Sequence, residues 1–260
     1  MMIDLHSHIL PGLDDGAGDM DETLEMCRIA EADGVHTIVA SPHCRNGLYN
    51  NDENTIMPAL QRTREAVREE GISVQIIPSV EIHITPELFT FFDHNPRLLL
   101  GGRYVFLELP SQSIPPYTGE FLFEMTLKGY IPIITHPERN TIIQGDPDLL
   151  AMWVDGGAIV QVTAMSLTGE FGDRVRGVSL AMVRSGLVHC IATDAHSPGW
   201  RKPVLSKARG VLEDILGDNR ARAMVEDIPG HILNGEAIEG RQTPASPGAS
   251  PSVIRRLLRV

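Results

Sequence analysis

Two histidines near the start of the chain are spaced as metal ligands on a strand would be. Residues 3–8 read Ile-Asp-Leu-His-Ser-His, and side chains two residues apart on a β-strand share a face. His6 and His8 would therefore point to one side of that strand, where both could bind a single ion. Such a pair is weak evidence alone, because chance and N-terminal tags also produce it. A metal site requires further ligands elsewhere in the chain.

Seven more ionisable side chains lie at or near the ends of predicted strands. With the first pair they make five imidazoles and four carboxylates, more than one ion needs, so they predict two or three ions bridged by carboxylates. This mixed set of nitrogen and oxygen ligands suits manganese, iron or zinc and differs from a Cys-rich structural zinc site. The nine candidates are His6, His8, Asp15, His43, Glu81, Glu108, His136, Asp194 and His196.

Each candidate also has a structural interpretation. His43 and His136 adjoin prolines and could be turn histidines bonded to the backbone, and Glu108 could pair with an arginine. Nine such residues at corresponding positions favour a functional cluster over nine separate structural roles. Bound cations would also relieve the repulsion among four clustered carboxylates, which would otherwise raise their pKa values.

Other polar residues near the cluster are predicted to have different roles. Asp4 shares the strand face of His6 and His8, so it is predicted to orient one of the two imidazoles. Five histidines lack a strand-end position and are predicted to be surface or packing residues; His83, two residues after Glu81, is the least secure of them. The five are His36, His83, His94, His189 and His231.

Two arginines, Arg139 and Arg201, stand close to candidate ligands in the sequence. A guanidinium matches the oxygens of a phosphate, although either arginine could instead pair with Glu138 or another acid. Several bridged metal ions together with arginines indicate phosphate-ester hydrolysis. In that chemistry a metal-bound hydroxide attacks phosphorus while the ions and the arginines neutralise the phosphoryl oxygens.

The predicted elements alternate between strand and helix, which is typical of parallel sheets with crossover helices. In a barrel of this kind the active site lies at the carboxyl ends of the strands. An open doubly wound sheet would instead concentrate function at one switch point. Ionisable residues follow six of the seven predicted strands, so a closed or nearly closed barrel is favoured. After the first strand, the strands are predicted at 37–40, 74–80, 104–107, 131–134, 158–162 and 188–193, and the helices at about 20–32, 56–70, 86–92, 119–128, 147–155, 173–185 and 204–216.

Composition narrows the class of protein. The chain has 260 residues and a net charge of -12, which argues against nucleic acid or an anionic membrane as its main partner. Three scattered cysteines, no long apolar run and no secretion signal predict a cytoplasmic protein without membrane insertion. Residues 1–240 are predicted to form the barrel. The Pro/Ser-rich residues 241–260 are predicted to be a disordered tail.

Six motifs in order resemble those of the polymerase-and-histidinol-phosphatase (PHP) superfamily. Within it, Asp-Asp-Gly-Ala at 14–17, His-Pro-Glu-Arg at 136–139 and the segment 161–172 are similar to the CpsB/YwqE-type bacterial tyrosine phosphatases. The resemblance covers residues 1 to about 235. The six superfamily motifs are Ile-Asp-Leu-His-Ser-His at 3–8, Ser-Pro-His at 41–43, Val-Glu-Ile at 80–82, Leu-Glu-Leu-Pro at 107–110, Thr-His-Pro-Glu-Arg at 135–139 and Thr-Asp-Ala-His at 193–196.

The resemblance implies a distorted (β/α)7 barrel with a trinuclear site that is usually loaded with manganese, iron and zinc remaining alternatives. It also implies that Arg139 and Arg201 bind phosphate, and that the substrate is phosphotyrosine on a kinase controlling capsular or exopolysaccharide synthesis. Thr163 and Met165 stand where the family more often has Asn and Gly, a departure expected to affect substrate fit. The implied ligand sets are His6, His8, Glu81 and Asp194 for one ion, Asp15, His43 and His196 for a second, and Glu108, His136 and bridging Glu81 for the third.

Other functions stay open at this point. A small phosphomonoester such as histidinol phosphate would need the same site. Metal-dependent amidohydrolases also begin with His-x-His but commonly use a bridging lysine, where this chain has Glu81 and Glu108. A regulatory barrel without activity is disfavoured because all nine ligands and both arginines are present. The cysteines provide no Cys-x5-Arg signature for a thiolate phosphatase, and the sequence leaves a homo-oligomer open.

Overall fold

Nine short strands form two sheets in which every strand pair is parallel. The structure is a computed structural model that describes residues 1–238, so the predicted tail at 241–260 lies outside the described residues. The mixed α/β class with parallel strands is confirmed. One sheet has the order β1-β2-β4 and the other β3-β5-β6-β7-β8-β9. The strands are β1 (Met2–Ser7), β2 (Val35–Ala40), β3 (His43–Cys44), β4 (Gln75–Pro78), β5 (Glu81–His83), β6 (Tyr104–Glu108), β7 (Ile131–Thr135), β8 (Ile159–Thr163) and β9 (Cys190–Ala192).

Eleven α-helices connect or follow these strands within the described residues. None of them is long and apolar enough to span a membrane. The helices are α1 (Met20–Ala32), α2 (Glu53–Glu69), α3 (Leu88–His94), α4 (Thr118–Leu127), α5 (Thr141–Gly145), α6 (Asp148–Asp155), α7 (Ala164–Thr168), α8 (Asp173–Arg184), α9 (Ser206–Leu216), α10 (Asp218–Val225) and α11 (Asp227–Leu233).

Capping side chains explain where the first two helices begin. The Asp19 carboxylate accepts a hydrogen bond from the Glu22 backbone N–H at 3.0 Å, and α1 has the predicted bounds. A reciprocal capping box between Asp52 and Thr55 starts α2 at Glu53, three residues before the predicted start. The residues before the predicted start are polar and do not contribute to the periodicity of apolar residues, so that periodicity placed the start of the helix too late.

The predicted strand at 74–80 is wrong in one respect, because the chain breaks there and changes sheet. The segment before the break, β4, pairs with β2, whereas β5 pairs with β3 and β6. A similar break separates β2 from β3 at Pro42. Proline lacks the N–H that a strand interior needs, and Pro42 and Pro78 adjoin the two interruptions. These breaks bring His43 and Glu81 to the first residues of β3 and β5.

The pairing register continues across both breaks. Ala40 lies opposite Pro78, and His43 lies opposite Glu81, so the offset is 38 residues in either sheet. At the other side of the fold, the end of β1 bonds to the chain that follows β9. The backbone N–H of His8 donates to Ala195 at 2.8 Å, and that of Asp194 donates to His6 at 2.8 Å. The carboxyl ends of the first and last strands therefore lie side by side.

Two apolar clusters support the strand ends. The larger one packs the helices against the strands. The smaller one includes Leu5, Phe106 and Ala192 from β1, β6 and β9. Phe106 is fully buried, and its ring stacks on the His6 imidazole with centroids 5.4 Å apart. Packed apolar side chains therefore hold one face of a candidate metal ligand.

Candidate metal centre

The two N-terminal histidines converge as their spacing predicts. Both side chains are fully buried, and their Nε2 atoms lie 3.1 Å apart. The outward-facing nitrogens are held in place: His6 Nδ1 lies 2.8 Å from Gln161 Oε1, and His8 Nδ1 lies 2.6 Å from Asp14 Oδ2. These contacts direct both Nε2 atoms at one point, as is usual for metal-ligating histidines.

All nine candidate ligands lie in one cluster. Its members lie near or after the carboxyl ends of β1, β6, β7 and β9, except that His43 and Glu81 are the first residues of β3 and β5. The candidates fall into overlapping groups whose potential ligand atoms lie within 4.8 Å of one another. Every candidate belongs to at least one group, so no member of the predicted set lies elsewhere. The groups are His8, Asp15, His43 and His196; His6, His8 and Glu81; His6, His136 and Asp194; and His43, Glu81 and Glu108.

Glu81 occupies the centre of this cluster and is fully buried. Its Oε1 lies 2.9 Å from His136 Nε2 and accepts a hydrogen bond from the Thr135 hydroxyl. Its Oε2 lies 3.3 Å from His6 Nε2 and 3.1 Å from His43 Nδ1. Burial alone would raise the pKa of Glu81, but His6 and His136 outweigh it and hold that pKa well below its usual range. With one oxygen turned to each side, Glu81 has the geometry of a bridging ligand.

The groups differ in part from the ligand sets that the family resemblance implies. His8 lies with Asp15, His43 and His196 as well as with His6 and Glu81. Glu108 groups with His43 and Glu81, while its Oε1 is 3.9 Å from His136 Nε2. Four residues, His6, His8, His43 and Glu81, each belong to two groups and therefore lie between neighbouring candidate ion positions.

Two of the candidate ligands and one of the arginines have unusual backbone conformations. His136, Asp194 and Arg201 have φ angles of 35°, 52° and 59°, in the left-handed region that side-chain-bearing residues rarely adopt. Such a conformation costs about 1–2 kcal/mol per residue and concentrates at functional sites. Among described residues the only other non-glycine case is Arg45, two residues after His43. The fold therefore holds strain where the cluster is assembled.

Both arginines contact Asp194. Arg139 Nη2 lies 2.6 Å from Asp194 Oδ2, and Arg201 Nη2 forms an ion pair with the same oxygen. The other oxygen, Oδ1, faces His8 Nε2 at 3.4 Å and His6 Nε2 at 3.7 Å. Burial would raise the pKa of Asp194, but the two arginines outweigh it and hold that pKa well below its usual range. One carboxylate thus faces the ligand cluster and anchors both guanidinium groups.

The donor atoms of the cluster fit a divalent metal. Glu81 Oε2, His43 Nδ1 and His196 Nε2 are buried and have no hydrogen-bond partner among described residues. Glu81 Oε2 and His43 Nδ1 lie 3.1 Å apart, close enough for both to bind one ion. Burial and the neighbouring His8 lower the pKa of His196 to about 4, which leaves this imidazole neutral and able to bind metal at neutral pH.

The ligands and the arginines share one cavity of about 190 Å³. Its walls include Asp15, Glu108 and His136 from the cluster, together with Arg139 and Arg201. The Nε donor of Arg139 is buried and lacks a hydrogen-bond partner among described residues. An oxyanion in the cavity would therefore meet an unused guanidinium donor beside the ligand cluster.

Three outer residues of the cluster lie in motifs of the family resemblance but were not predicted to support the ligands. Gln161, near the end of β8, orients His6. Its side-chain amide is not ionisable, so it was not among the candidate metal ligands. Asp14 contacts His8 Nδ1 and accepts a hydrogen bond from the His43 backbone N–H at 2.9 Å. The sequence predicted a role only for its neighbour Asp15. Glu138 is fully buried and accepts from Thr163 N at 3.0 Å and the Ser166 hydroxyl at 2.6 Å.

Two sequence-based assignments are corrected. Asp4 does not orient an imidazole, because its carboxylate accepts hydrogen bonds from the backbone N–H and the hydroxyl of Thr193. It thereby ties β1 to the chain entering Asp194. His83 is more than a surface or packing residue, because its Nε2 lies 2.9 Å from Glu108 Oε2. It holds a candidate ligand from outside the cluster.

Comparison with known proteins identifies relatives over nearly the whole described chain. Residues 2–234 match the family model described as capsular polysaccharide synthesis, CpsB/CapC. The chain is 37% identical to the tyrosine-protein phosphatase YwqE of Bacillus subtilis, covering 87% of this chain and 89% of that protein. It is 34% identical to CapC of Staphylococcus aureus, covering 91% of either chain.

A solved structure is similar as well. It comes from work on YwqE of Bacillus subtilis and CpsB of Streptococcus pneumoniae, described there as metal-dependent tyrosine phosphatases. The TM-score is 0.87 at 37% identity, and the match covers 94% of this chain and 98% of the other. The parallel α/β architecture is therefore shared with those proteins.

Substitution of Gly16 should weaken metal binding. A Cβ at this position would lie 1.9 Å from the His8 carbonyl oxygen, so Gly16→Ala must displace either His8 or the loop that carries Asp15. Displacing a ligand or its support typically costs about 10–100-fold in metal affinity. We expect a loss of this size when manganese binding is measured by calorimetry.

Gly18→Ala is the matched control, because its Cβ would meet only Glu22 Oε2 at an ordinary 3.4 Å. Manganese should bind this variant as it binds the unaltered chain. Equal affinities of the Gly16 and Gly18 variants would contradict the placement of the loop against the ligands.

Proposed function

The chain belongs to the CpsB/CapC family, and on this premise we propose that it is a metal-dependent protein-tyrosine phosphatase. The observation that carries the proposal is the position of Arg139 and Arg201, both fixed on Asp194 at the edge of a nine-ligand cluster. Guanidinium groups beside clustered metal ligands suit a phosphate group that both would contact. YwqE and CpsB, named as tyrosine phosphatases, support the choice of substrate class.

We propose that the nine candidates hold three divalent ions, most readily manganese. The overlap of the ligand groups at His8 and Glu81 supports more than one ion, because a single ion would leave several ligands unused. Imidazole and carboxylate ligands suit manganese, iron and zinc. When bound, such ions polarise phosphoryl oxygens and make water acidic enough to supply a nucleophile at neutral pH.

The protein's own residues would bind and orient the substrate. Arg139 has a buried, unpartnered Nε that can donate to a phosphoryl oxygen. Arg201 is fixed by two contacts with Asp194, through Nη2 to the carboxylate and through Nε to the backbone oxygen at 3.1 Å. Since Asp194 holds both groups before substrate arrives, little reorganisation is needed as charge develops on the phosphate. Phenolate is a good leaving group, with a tyrosine pKa of about 10, so a strong general acid is not required.

The cysteines do not support a thiolate route. Burial raises the pKa values of Cys27, Cys44 and Cys190 to about 12, so each is a thiol at neutral pH, and only the thiolate is an effective nucleophile. Three free, buried cysteines are also consistent with a reducing compartment. We propose a cytoplasmic location on that basis.

We further propose that residues 1–240 form one distorted (β/α)7 barrel. The continuous register across the two sheets supports it, as do the backbone bonds that join the end of β1 to the residues after β9. In such a barrel the site lies at the carboxyl ends of the strands, and most members of the cluster lie near or after such ends.

The partner that we propose is a tyrosine kinase controlling the synthesis of a capsular or exopolysaccharide. The description of the matching family supports this context. The alternative is a phosphatase acting on a small phosphomonoester such as histidinol phosphate. Both substrates present a phosphate monoester, so the ligand cluster alone does not separate them.

Two substitutions should separate metal binding from phosphate binding. His136→Ala removes an imidazole that contacts Glu81 at 2.9 Å, and we expect loss of both bound metal and activity. Arg139→Ala removes a phosphate donor but no proposed ligand, so metal content should stay while kcat/KM falls about 10²–10³-fold. Metal content by mass spectrometry and hydrolysis of p-nitrophenyl phosphate measure the two effects. An Arg139→Ala variant with undiminished rate would overturn the role of the arginine.

Substrate preference tests the choice of substrate class. The manganese-loaded chain should hydrolyse a phosphotyrosine peptide with a kcat/KM at least about tenfold above that for histidinol phosphate, because the phenolate leaves more readily than an alkoxide. Phosphate release from both substrates, at equal enzyme and metal concentrations, gives the ratio. A clear preference for histidinol phosphate would favour the alternative.

A further inference from the structure

A second cavity opens directly beside the candidate metal centre. It has a volume of about 230 Å³, and Arg201 lines both this cavity and the one at the ligand cluster. We call it the side cavity and define it by Met165, Glu170, Trp200, Arg201, Lys202 and Lys207. It lies between α7 and the start of α9, and none of the nine candidate ligands lines it.

Aromatic contacts connect the two cavities. The guanidinium carbon of Arg139 lies 5.4 Å from the ring centroid of Phe171. Phe171 in turn packs edge-to-face on Trp200, with centroids 6.2 Å apart. The Trp200 side chain is 59% exposed, and aromatic residues are enriched at contact surfaces. A chain of contacts therefore runs from Asp194 through Arg139 and Phe171 to an exposed indole.

The charge of the side cavity differs from that of the whole protein. The chain has a net charge of -12 and only three lysines, Lys128, Lys202 and Lys207. Two of the three line the side cavity, and no acidic group among described residues lies within ion-pair distance of either. Glu170 is the one acidic side chain in the lining, and it accepts a hydrogen bond from the Thr168 hydroxyl. Because Asp194 pairs with the Arg201 guanidinium, the remaining charged groups of the side cavity are the ammonium groups of Lys202 and Lys207 and the carboxylate of Glu170.

We propose that the side cavity binds the peptide segment flanking the phosphotyrosine, with an apolar residue on Trp200 and Met165 and an acidic residue at Lys202 and Lys207. This inference rests on the proposed phosphatase function and deepens it. The shared residue Arg201 makes the cavity continuous with the phosphate position, and the two unpaired lysines complement an acidic group. Met165 is one of the positions at which the sequence departs from the pattern that the family resemblance implies, and it lies in this wall.

Three phosphotyrosine peptides test the proposal when they differ only in having Glu, Gln or Lys beside the phosphotyrosine. With the full, manganese-loaded chain we expect kcat/KM to decrease in the order Glu, Gln, Lys. Lys207→Glu should reduce the ratio of the Glu peptide to the Gln peptide about fivefold, a size typical of an exposed charge contact. Glu170→Gln should raise the same ratio. Each preference should shrink at high salt, because the contacts are exposed.

The controls are a distant lysine and a substrate without flanking residues. Lys128→Glu makes the same charge change at the end of α4, away from the side cavity, and should leave the peptide order unchanged. Hydrolysis of p-nitrophenyl phosphate should be the same for all these variants and the unaltered chain, because it has no group that reaches the side cavity. Trp200→Ala should raise KM for every peptide by a larger factor than it raises KM for p-nitrophenyl phosphate.

The outcomes separate the two proposals. If the chain hydrolyses p-nitrophenyl phosphate and peptides but does not discriminate among the three peptides, the side cavity is not a peptide subsite and the phosphatase function stands. The side cavity is likewise not a peptide subsite if Lys207→Glu and Lys128→Glu alter the peptide ratio equally. If no phosphotyrosine substrate is hydrolysed, the proposed function fails and this inference fails with it.

Discussion

The burial of two carboxylates, Glu81 and Asp194, constrains the rest of the structure. Burying an ionised carboxylate costs several kcal/mol unless charges or hydrogen bonds compensate it. Imidazoles from three strand ends surround Glu81, and two arginines contact Asp194. The pKa values of both carboxyls are held well below their usual range, so both are negative at neutral pH. The fold therefore keeps two ionised carboxylates in its interior, each with at least one oxygen directed at other members of the cluster.

The conformation of the backbone positions these groups in the cluster. Pro42 and Pro78 adjoin two strand interruptions that bring His43 and Glu81 to the start of short strands in the second sheet. His136, Asp194 and Arg201 have left-handed backbone conformations, which residues with a side chain rarely adopt. Such strain persists only where surrounding contacts determine it. Asp4 provides one of them by fixing Thr193, the residue before Asp194.

Much of the fold could be predicted from the sequence, because helices and strands depend on local patterns of residues. Apolar runs located strands β6 to β8 within a residue or two, and α1 has its predicted bounds. Residue type and position at the end of a predicted strand selected most of the nine candidate ligands, because parallel strands end at one side of a sheet. Asp15 is the exception, since it lies in the loop between β1 and α1. The change of sheet after Pro78 could not be predicted, since it depends on which strands become neighbours. Gln161 and Glu138 were missed because their partners lie far away in the sequence. Asp14 was missed because it contacts His8 across a loop, where no periodic spacing relates the two residues.

Anomalous diffraction from manganese-loaded crystals, measured at the manganese absorption edge, would show whether the nine strand-end residues hold several ions bridged by Glu81. We expect three peaks within the cluster, with Glu81 oxygens within about 2.0–2.6 Å of two of them, the range of oxygen–metal bonds. A single peak that Glu81 does not bridge, or peaks confined to other parts of the protein, would show that the cluster is not a multi-metal centre.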